Sequence, residues 1–213
     1  MEWAFLLDEL ISQSLRDFQS DCLSFCEHHY PTIHNRGMKE SHLGKALARR
    51  FIHGYNNLDI EATYHQMEEA ALKQPVFRID APEHQIYLVA HRLISANTAC
   101  RKALVKDTLW ALEHLDTSSG KEKRLIIVAD HWVDRSSASK SVPCWWLGHQ
   151  PIHRDDYASQ GVKLMDADHH FAEDIAQECH LNDGKLRIFH PLHRQRDGIP
   201  LYKYMLLTAA YSL

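Results

Sequence analysis

The densest group of side chains that could do chemistry lies in the last third of the chain. Asp166, Asp168, His169 and His170 fall within five residues, and the run 153–156 (HRDD) precedes them. Carboxylate oxygens combined with imidazole nitrogens suit Zn²⁺, Mn²⁺ or Fe²⁺. These four residues are therefore a candidate metal site.

The same residues also fit an ordinary helix surface. His169 and Glu173, like His170 and Asp174, are spaced i, i+4, as side-chain pairs on exposed helices are. No HExxH pattern accompanies them, and the sequence has no Walker A, GxGxxG or GxSxG pattern. A catalytic triad assembled only in space leaves no local pattern, so that alternative stays open.

Composition favours a folded chain that resides in the cytoplasm. Of the 213 residues 45% are hydrophobic and 24% charged, and no apolar run is long enough to span a membrane. The acidic start MEWAFLLDEL does not fit a signal peptide. Five scattered cysteines without a CxxC pair are typical of reduced thiols. Cys22 and Cys26 lie near His28 and His29, but their spacing favours the buried face of a helix over a zinc site.

Charge and aromatic content limit the partners. The formal net charge is −4, so only a local basic patch could attract nucleic acid. The 17 histidines are spread along the whole chain and would make its charge sensitive to pH. Trp132, Trp145 and Trp146, near Arg135 and Lys140, could stack on bases, although core packing is the commoner use of tryptophan.

Hydrophobic periodicity divides the first part of the chain into helices followed by strands. Apolar residues recur at helical spacing over 3–27, 38–53 and 59–72. Two short apolar runs follow, 75–80 and 86–94, and the Pro-containing link between them favours a turn. We therefore predict three helices and then two antiparallel strands.

The remainder of the chain mixes helices and strands. A helix is predicted over 97–115 and a buried, β-branched strand over 124–129. A helix over 169–179 and a strand over 186–189 follow, whereas 199–213 is apolar without a decisive period. The alternation indicates an α/β protein.

The order of elements between 38 and 130 resembles the core of the PD-(D/E)xK nuclease superfamily. Members of that superfamily carry a Glu at the start of the first core helix, an Asp at the end of a strand, and a Glu-x-Lys on the next strand. Here Glu40 lies at the start of MKESHLGKALARRF, and Asp80 ends FRID. The resemblance implies a mixed sheet flanked by helices, with Glu40 and Asp80 as ligands of Mg²⁺ or Mn²⁺.

The chain departs from that pattern on the second of the two strands. Val89 and His91 stand where the resemblance places Glu and Lys. Valine cannot bind a metal, and histidine is not a permanent cation near neutral pH. The resemblance then implies a remnant catalytic site of Glu40, Asp80 and His91. Glu40 also fits an ordinary acid in a first helical turn, and Asp80 an ordinary turn residue.

These observations predict one domain over 1–213 with a restriction-endonuclease-like core. It would consist of an N-terminal helix (1–30), the α/β core (38–130) and a C-terminal extension (131–213) packed on the core. The expected role is non-catalytic, either binding or regulation through a nucleic-acid patch or a protein partner.

Two other functions stay open. The first is an active metal-dependent nuclease or phosphodiesterase whose missing acid comes from elsewhere, for example from Glu69 or Glu83. The second is a structural or oligomeric protein without a site. Convergence of Glu40, Asp80 and a further carboxylate on an open pocket would favour the enzyme.

Overall fold

The computed structural model describes residues 2–29, 39–67, 75–194 and 197–213. These form a six-stranded mixed sheet with helices on both faces. The strands are β1 (Thr63–Met67), β2 (Val76–Asp80), β3 (His84–Arg92), β4 (Glu122–Trp132), β5 (Lys185–Phe189) and β6 (Tyr204–Ser212). The helices are α1 (Glu2–His29), α2 (Glu40–Asn56), α3 (Thr98–Glu113), α4 (Ser137–Lys140), α5 (Val142–Leu147), α6 (Arg154–Ser159) and α7 (Phe171–Cys179).

The strand order is β1-β2-β3-β4-β6-β5. Strands β1, β2 and β3 form an antiparallel meander, β3 and β4 are parallel, and β6 is antiparallel to both β4 and β5. Parallel neighbours need a crossover connection, and α3 supplies it between β3 and β4. The predicted hairpin, crossover helix and following strand are thereby confirmed.

The helix predicted over 59–72 is wrong where the structure describes it, because Thr63–Met67 is strand β1. Its apolar residues fall at helical spacing, but the backbone pairs with β2 from Thr63↔Asp80 to Met67↔Val76. All five residues are exposed or half-buried, as in an edge strand whose side chains pack little. Pairing with the sheet therefore outweighs a weak helical period. Residues 68–72 of the same prediction lie outside the described residues.

Each face of the sheet carries its own apolar layer. Helices α1 and α2 cover one face, and α3, α5 and α7 cover the other. Because side chains alternate along a strand, Leu88 and Ala90 of β3 lie under α2, whereas Tyr87 and Val89 lie under α3. This alternation decides which residues can share a site.

The C-terminal extension completes the sheet as well as packing on it. The apolar segment 199–213, whose type the sequence left undecided, contains β6 between β4 and β5. The predicted strand 186–189 lies within β5, and the predicted helix 169–179 corresponds to α7. None of the helices in the described residues combines the length and the apolar character that crossing a bilayer requires.

Helix α2 approaches the sheet most closely at Gly44. A Cβ atom there would lie 2.7 Å from Cβ of Ala90 and closer still to the ring of Phe77. Both neighbours are fully buried, so neither can easily move aside. Glycine is therefore required by packing, although it lowers helix propensity by about 1 kcal/mol relative to alanine.

We expect Gly44→Ala to lower the free energy of unfolding by about 1–3 kcal/mol, because overpacking a filled core displaces its neighbours. Urea denaturation followed by circular dichroism measures this. Ser41→Ala, at an exposed position of the same helix, is the control and should change stability by less than about 0.5 kcal/mol. A stabilised Gly44→Ala protein, as helix propensity alone predicts, would contradict the close packing.

Candidate functional site

Ionisable residues are buried where the parallel strands β3 and β4 end. His91 is 4% exposed, Asp107 1% and Asp130 0%, and such burial of acids is rare in proteins. Ligands of open α/β sheets bind outside the carboxyl ends of parallel strands. We call these three residues, together with Glu40 and Arg92, the carboxyl-end cluster.

His91 on β3 faces Asp107 on α3. Nε2 of His91 lies 3.8 Å from Oδ2 of Asp107, and Nδ1 lies 3.2 Å from the carbonyl oxygen of Arg92. A carbonyl only accepts, so Nδ1 carries a proton and donates it to that oxygen. Protonation of Nε2 would therefore place a positive charge beside the Asp107 carboxylate.

Burial lowers the pKa of His91, and the hydrogen bond to the Arg92 carbonyl and the charge of Glu40 oppose this in part. Glu40 lies in the first turn of α2, the helix that covers the opposite face of the sheet. Glu40 and His91 of the predicted remnant site therefore belong to different sides of the sheet, and among the described residues no hydrogen bond or ion pair joins them.

Arg92 and Asp130 form the other half of the carboxyl-end cluster. They are paired in register across β3 and β4. By strand alternation both lie on the same face as Ala90 and Val128, which is the face that α1 and α2 cover. Oδ2 of Asp130 accepts a hydrogen bond of 3.5 Å from the hydroxyl of Tyr204.

The alternation also separates His91 from the residues under α2. His91 follows Val89 and lies on the α3 face, whereas Arg92 follows Ala90 on the α2 face. The residues of β3 that share a face with the helix of Glu40 are thus Ala90 and Arg92, not Val89 and His91. A shift of one residue in a strand moves a side chain to the other face.

Asp80 lies at the opposite end of the hairpin. In register it pairs with Gln85, six positions before His91, or about 20 Å along the strand. Because β2 and β3 are antiparallel, the end of β2 adjoins the start of β3. The structure therefore does not bring Asp80 together with His91.

The Asp80 carboxylate instead joins the polar contacts of the hairpin. One oxygen accepts from Nε of Arg78 at 2.8 Å and the other from Nε2 of Gln85 at 2.8 Å. Nδ1 of His65 on the edge strand lies 3.8 Å away. Both carboxylate oxygens are thus engaged by neighbouring strand residues.

Of the acids suggested as replacement ligands, Glu83 is exposed at the turn beside Asp80, and Glu69 lies outside the described residues. The acids that the sequence analysis missed are Asp107 and Asp130. Asp130 directly follows the apolar run RLIIVA, and Asp107 lies among the buried residues of α3. The sequence signal for Asp107 is an acid within the apolar stripe of a helix, and the signal for Asp130 is an acid directly after a buried strand.

Two of the four residues of the candidate metal site at 166–170, Asp166 and His170, make local structural contacts. Oδ1 of Asp166 accepts from Nε2 of Gln150 at 2.6 Å. His170 is the N-cap of α7, and its backbone N–H donates to Oε2 of Glu173 at 3.0 Å, as in a capping box. In the described ranges, no three His, Cys, Asp or Glu side chains are grouped so that they could hold a metal.

One serine–histidine pair is assembled in space. Oγ of Ser139 lies 3.2 Å from Nε2 of His131, whose Nδ1 lies 2.6 Å from the carbonyl oxygen of Leu93. Both side chains are buried from solvent, and burial lowers the pKa of His131. A backbone carbonyl stands where a triad has its acid. We interpret this pair as a structural link between α4 and the ends of β3 and β4.

Removal of the Asp80 side chain tests its structural role. We expect Asp80→Ala to lower the free energy of unfolding by about 1–2 kcal/mol, because Nε of Arg78 and Nε2 of Gln85 lose the carboxylate to which they donate. Thermal or urea denaturation measures this, with Asp168→Ala, which removes an exposed carboxylate, as the control. Unchanged stability together with lost Mn²⁺ or nucleic-acid binding would instead return Asp80 to a functional site.

Three buried histidines and the half-buried His190 make stability depend on pH. Burial lowers the pKa of His84, His91, His131 and His190 below that of an unfolded chain. The unfolded state then binds more protons between the two pKa values, so the free energy of unfolding should fall as pH drops below about 6.5. Urea midpoints at about pH 7.5 and 5.5 would show it, and His91→Gln should flatten the dependence. A wild-type midpoint that rises on acidification contradicts the prediction.

No family model matches the chain, and no curated protein or solved structure matches it significantly. Function must therefore be inferred from the geometry and chemistry of its own residues. Those residues are a histidine 3.8 Å from an aspartate on the α3 side, a glutamate at the start of α2, and an arginine and an aspartate that strand register brings together on the α2 side of the same sheet edge.

Proposed function

We propose that this chain is a nucleic-acid-binding protein built on a nuclease-like core, and that its carboxyl-end cluster binds without cutting. The order of elements supports the core. Helix α2 has an acid in its first turn, β1 and the hairpin β2–β3 follow, and α3 crosses over to a parallel β4. Apart from β1, where a helix was predicted, this is the order by which the sequence resembles the PD-(D/E)xK nucleases.

The observation that carries the proposal is the side of β3 that faces α2, where Ala90 packs against the helix and strand alternation places Arg92. An active site that uses the acid of α2 needs its strand ligands on the same face, which makes Ala90 and Arg92 the counterparts of Glu and Lys. Ala90 offers no ligand atom, so the metal loses a strand carboxylate. Arg92 keeps a permanent positive charge and can pair with a phosphate through two N–H groups.

Cations near the same edge support nucleic acid as the partner. Arg135 and Lys203 are exposed, and the N–H of Val133 donates to the carbonyl of Lys203 at 2.8 Å, which holds their two loops side by side. Half-buried Trp132 packs on Tyr204 beside them. Trp145 and Trp146 are buried and do not contribute a stacking surface. With a net charge of −4, attraction to phosphates has to be local and sensitive to salt.

A metal-dependent phosphodiesterase is the second candidate function, and Asp130 favours it. This acid lies on the face of α2, one strand from Arg92. Glu40 and Asp130 would then be the ligands of Mg²⁺ or Mn²⁺, whose chemistry is activation of water and neutralisation of phosphate charge. Asp130 is 0% exposed and accepts from Tyr204, so burial argues for the non-catalytic role.

We expect the purified protein to bind single-stranded DNA at low salt and to leave it uncut with Mg²⁺ or Mn²⁺. Arg92→Gln should weaken binding about tenfold, because a charge-assisted contact to phosphate is lost. Fluorescence anisotropy and gel assays of the same oligonucleotide measure binding and cutting. Arg16→Gln, on the exposed surface of α1, is the matched control and should bind as the wild type does.

Three results would contradict this proposal. Cleavage that disappears in both Glu40→Gln and Asp130→Asn would establish the second candidate function. Absence of binding at low salt, or equal binding by Arg92→Gln and the wild type, would exclude the carboxyl-end cluster as a nucleic-acid interface.

A further inference from the structure

A second polar site lies on the α1 face, near the start of β4. Along most of this face the strands present apolar side chains such as Ile126, Val128 and Leu206. Beside α1 the residues change to three cations and a hydroxyl: Arg124, Lys185, Arg187 and Thr208. They line a cleft of about 50 Å³ between α1 and strands β5 and β6.

The cleft already holds one carboxylate of the protein itself. Asp8 of α1 accepts from Nζ of Lys185 at 2.7 Å and from Nε and one terminal nitrogen of Arg124, both at 3.3 Å. Arg124 also pairs with Glu122 at 2.7 Å. Two of the three cations are therefore neutralised by acids of the fold.

No acid of the described residues engages the third cation, Arg187, or the hydroxyl of Thr208. Among the described residues, no side chain forms a hydrogen bond or ion pair with Arg187. Thr208 is 1% exposed, and its Oγ1 has no hydrogen-bond partner there either. Arg187 and Thr208 are paired in register across β5 and β6, so their side chains leave the sheet on the same face.

We propose that this cleft binds a small oxyanion of the phosphate class, held by the Arg187 guanidinium and the Thr208 hydroxyl. A buried hydroxyl without a partner is costly, and the half-buried guanidinium of Arg187 keeps a charge that no carboxylate of the described residues neutralises. An oxyanion accepts from both. Cations are repelled by Arg187, and a neutral ligand gains no charge pairing.

Size and charge restrict the ligand further. About 50 Å³ accommodates a group of a few heavy atoms, so the rest of a larger molecule would lie in solvent. Asp183 also lines the cleft and, with Asp8, opposes a second anionic group. A single phosphate, either free or as the terminal monoester of a nucleotide, fits this balance.

The site is independent of the proposed nucleic-acid interface. Arg124 lies at the start of β4 and Asp130 near its end, six positions or about 20 Å apart. Substitutions in the cleft should therefore leave the effect of Arg92→Gln on DNA binding unchanged. This separates a failure of either idea from a failure of the other.

Isothermal titration calorimetry at constant ionic strength tests the cleft with inorganic phosphate, adenosine monophosphate and adenosine. We expect at least one phosphate compound to bind and adenosine not to bind. Arg187→Gln should weaken binding at least about tenfold, whereas Arg154→Gln, at an exposed position of α6, should not. Equal affinity for both phosphate compounds identifies the free anion, and binding of the nucleotide alone identifies a monoester.

Thr208→Val gives a second readout in a protein of the same shape. We expect it to weaken phosphate binding and, without phosphate, to raise the melting temperature, because an unpaired buried hydroxyl is replaced by a methyl group. Absence of phosphate binding by the folded wild type would overturn the proposal. So would binding that is equal in the wild type, Arg187→Gln and Thr208→Val.

Discussion

Parallel pairing of β3 with β4 is the constraint on which the rest of the structure depends. The two strands are paired from His84↔Glu122 to Arg92↔Asp130, and nearly all of their residues are buried. Strands buried on both faces need helices on both sides of the sheet. The crossover α3 covers one side, and α1 and α2 cover the other. Because parallel strands end at the same edge, their last residues are brought together there.

The same constraint explains why charged groups are buried at that edge. His91 and Asp130 lie on strands that helices cover to their ends, and Asp107 belongs to one of those helices, α3. Taking a charge out of water costs several kcal/mol unless a partner compensates it. Burial lowers the pKa of His91 and so favours its neutral form. Apolar residues would pack at these positions at a lower cost, which makes the cluster a candidate for function and not only for stability.

Sequence patterns predicted the elements with strong periodicity and missed those set by pairing. The β-branched run of β4 and the hairpin β2–β3 were identified because burial on both faces leaves long apolar stretches. Strand β1 was missed because its side chains are largely exposed and its pairing with β2 decides its structure. The residues at the end of a strand do not show which end of the neighbouring strand lies beside them. In the structure, the antiparallel register of β2 and β3 places Asp80 beside Gln85 and away from His91.

The side of a strand is the property on which the functional interpretation turns. A shift of one residue along β3 exchanges His91, on the α3 side of the sheet, for Arg92, on the same side as the acid of α2. A histidine at this position would attract phosphate only in its protonated form. Because burial lowers the pKa of the ring, the protonated form would be present only at acidic pH. Arginine remains charged at every physiological pH. On the nuclease-like core that we propose, an arginine beside a position without a carboxylate would attract phosphate while offering no ligand to a metal, and this combination is what the proposed binding role requires.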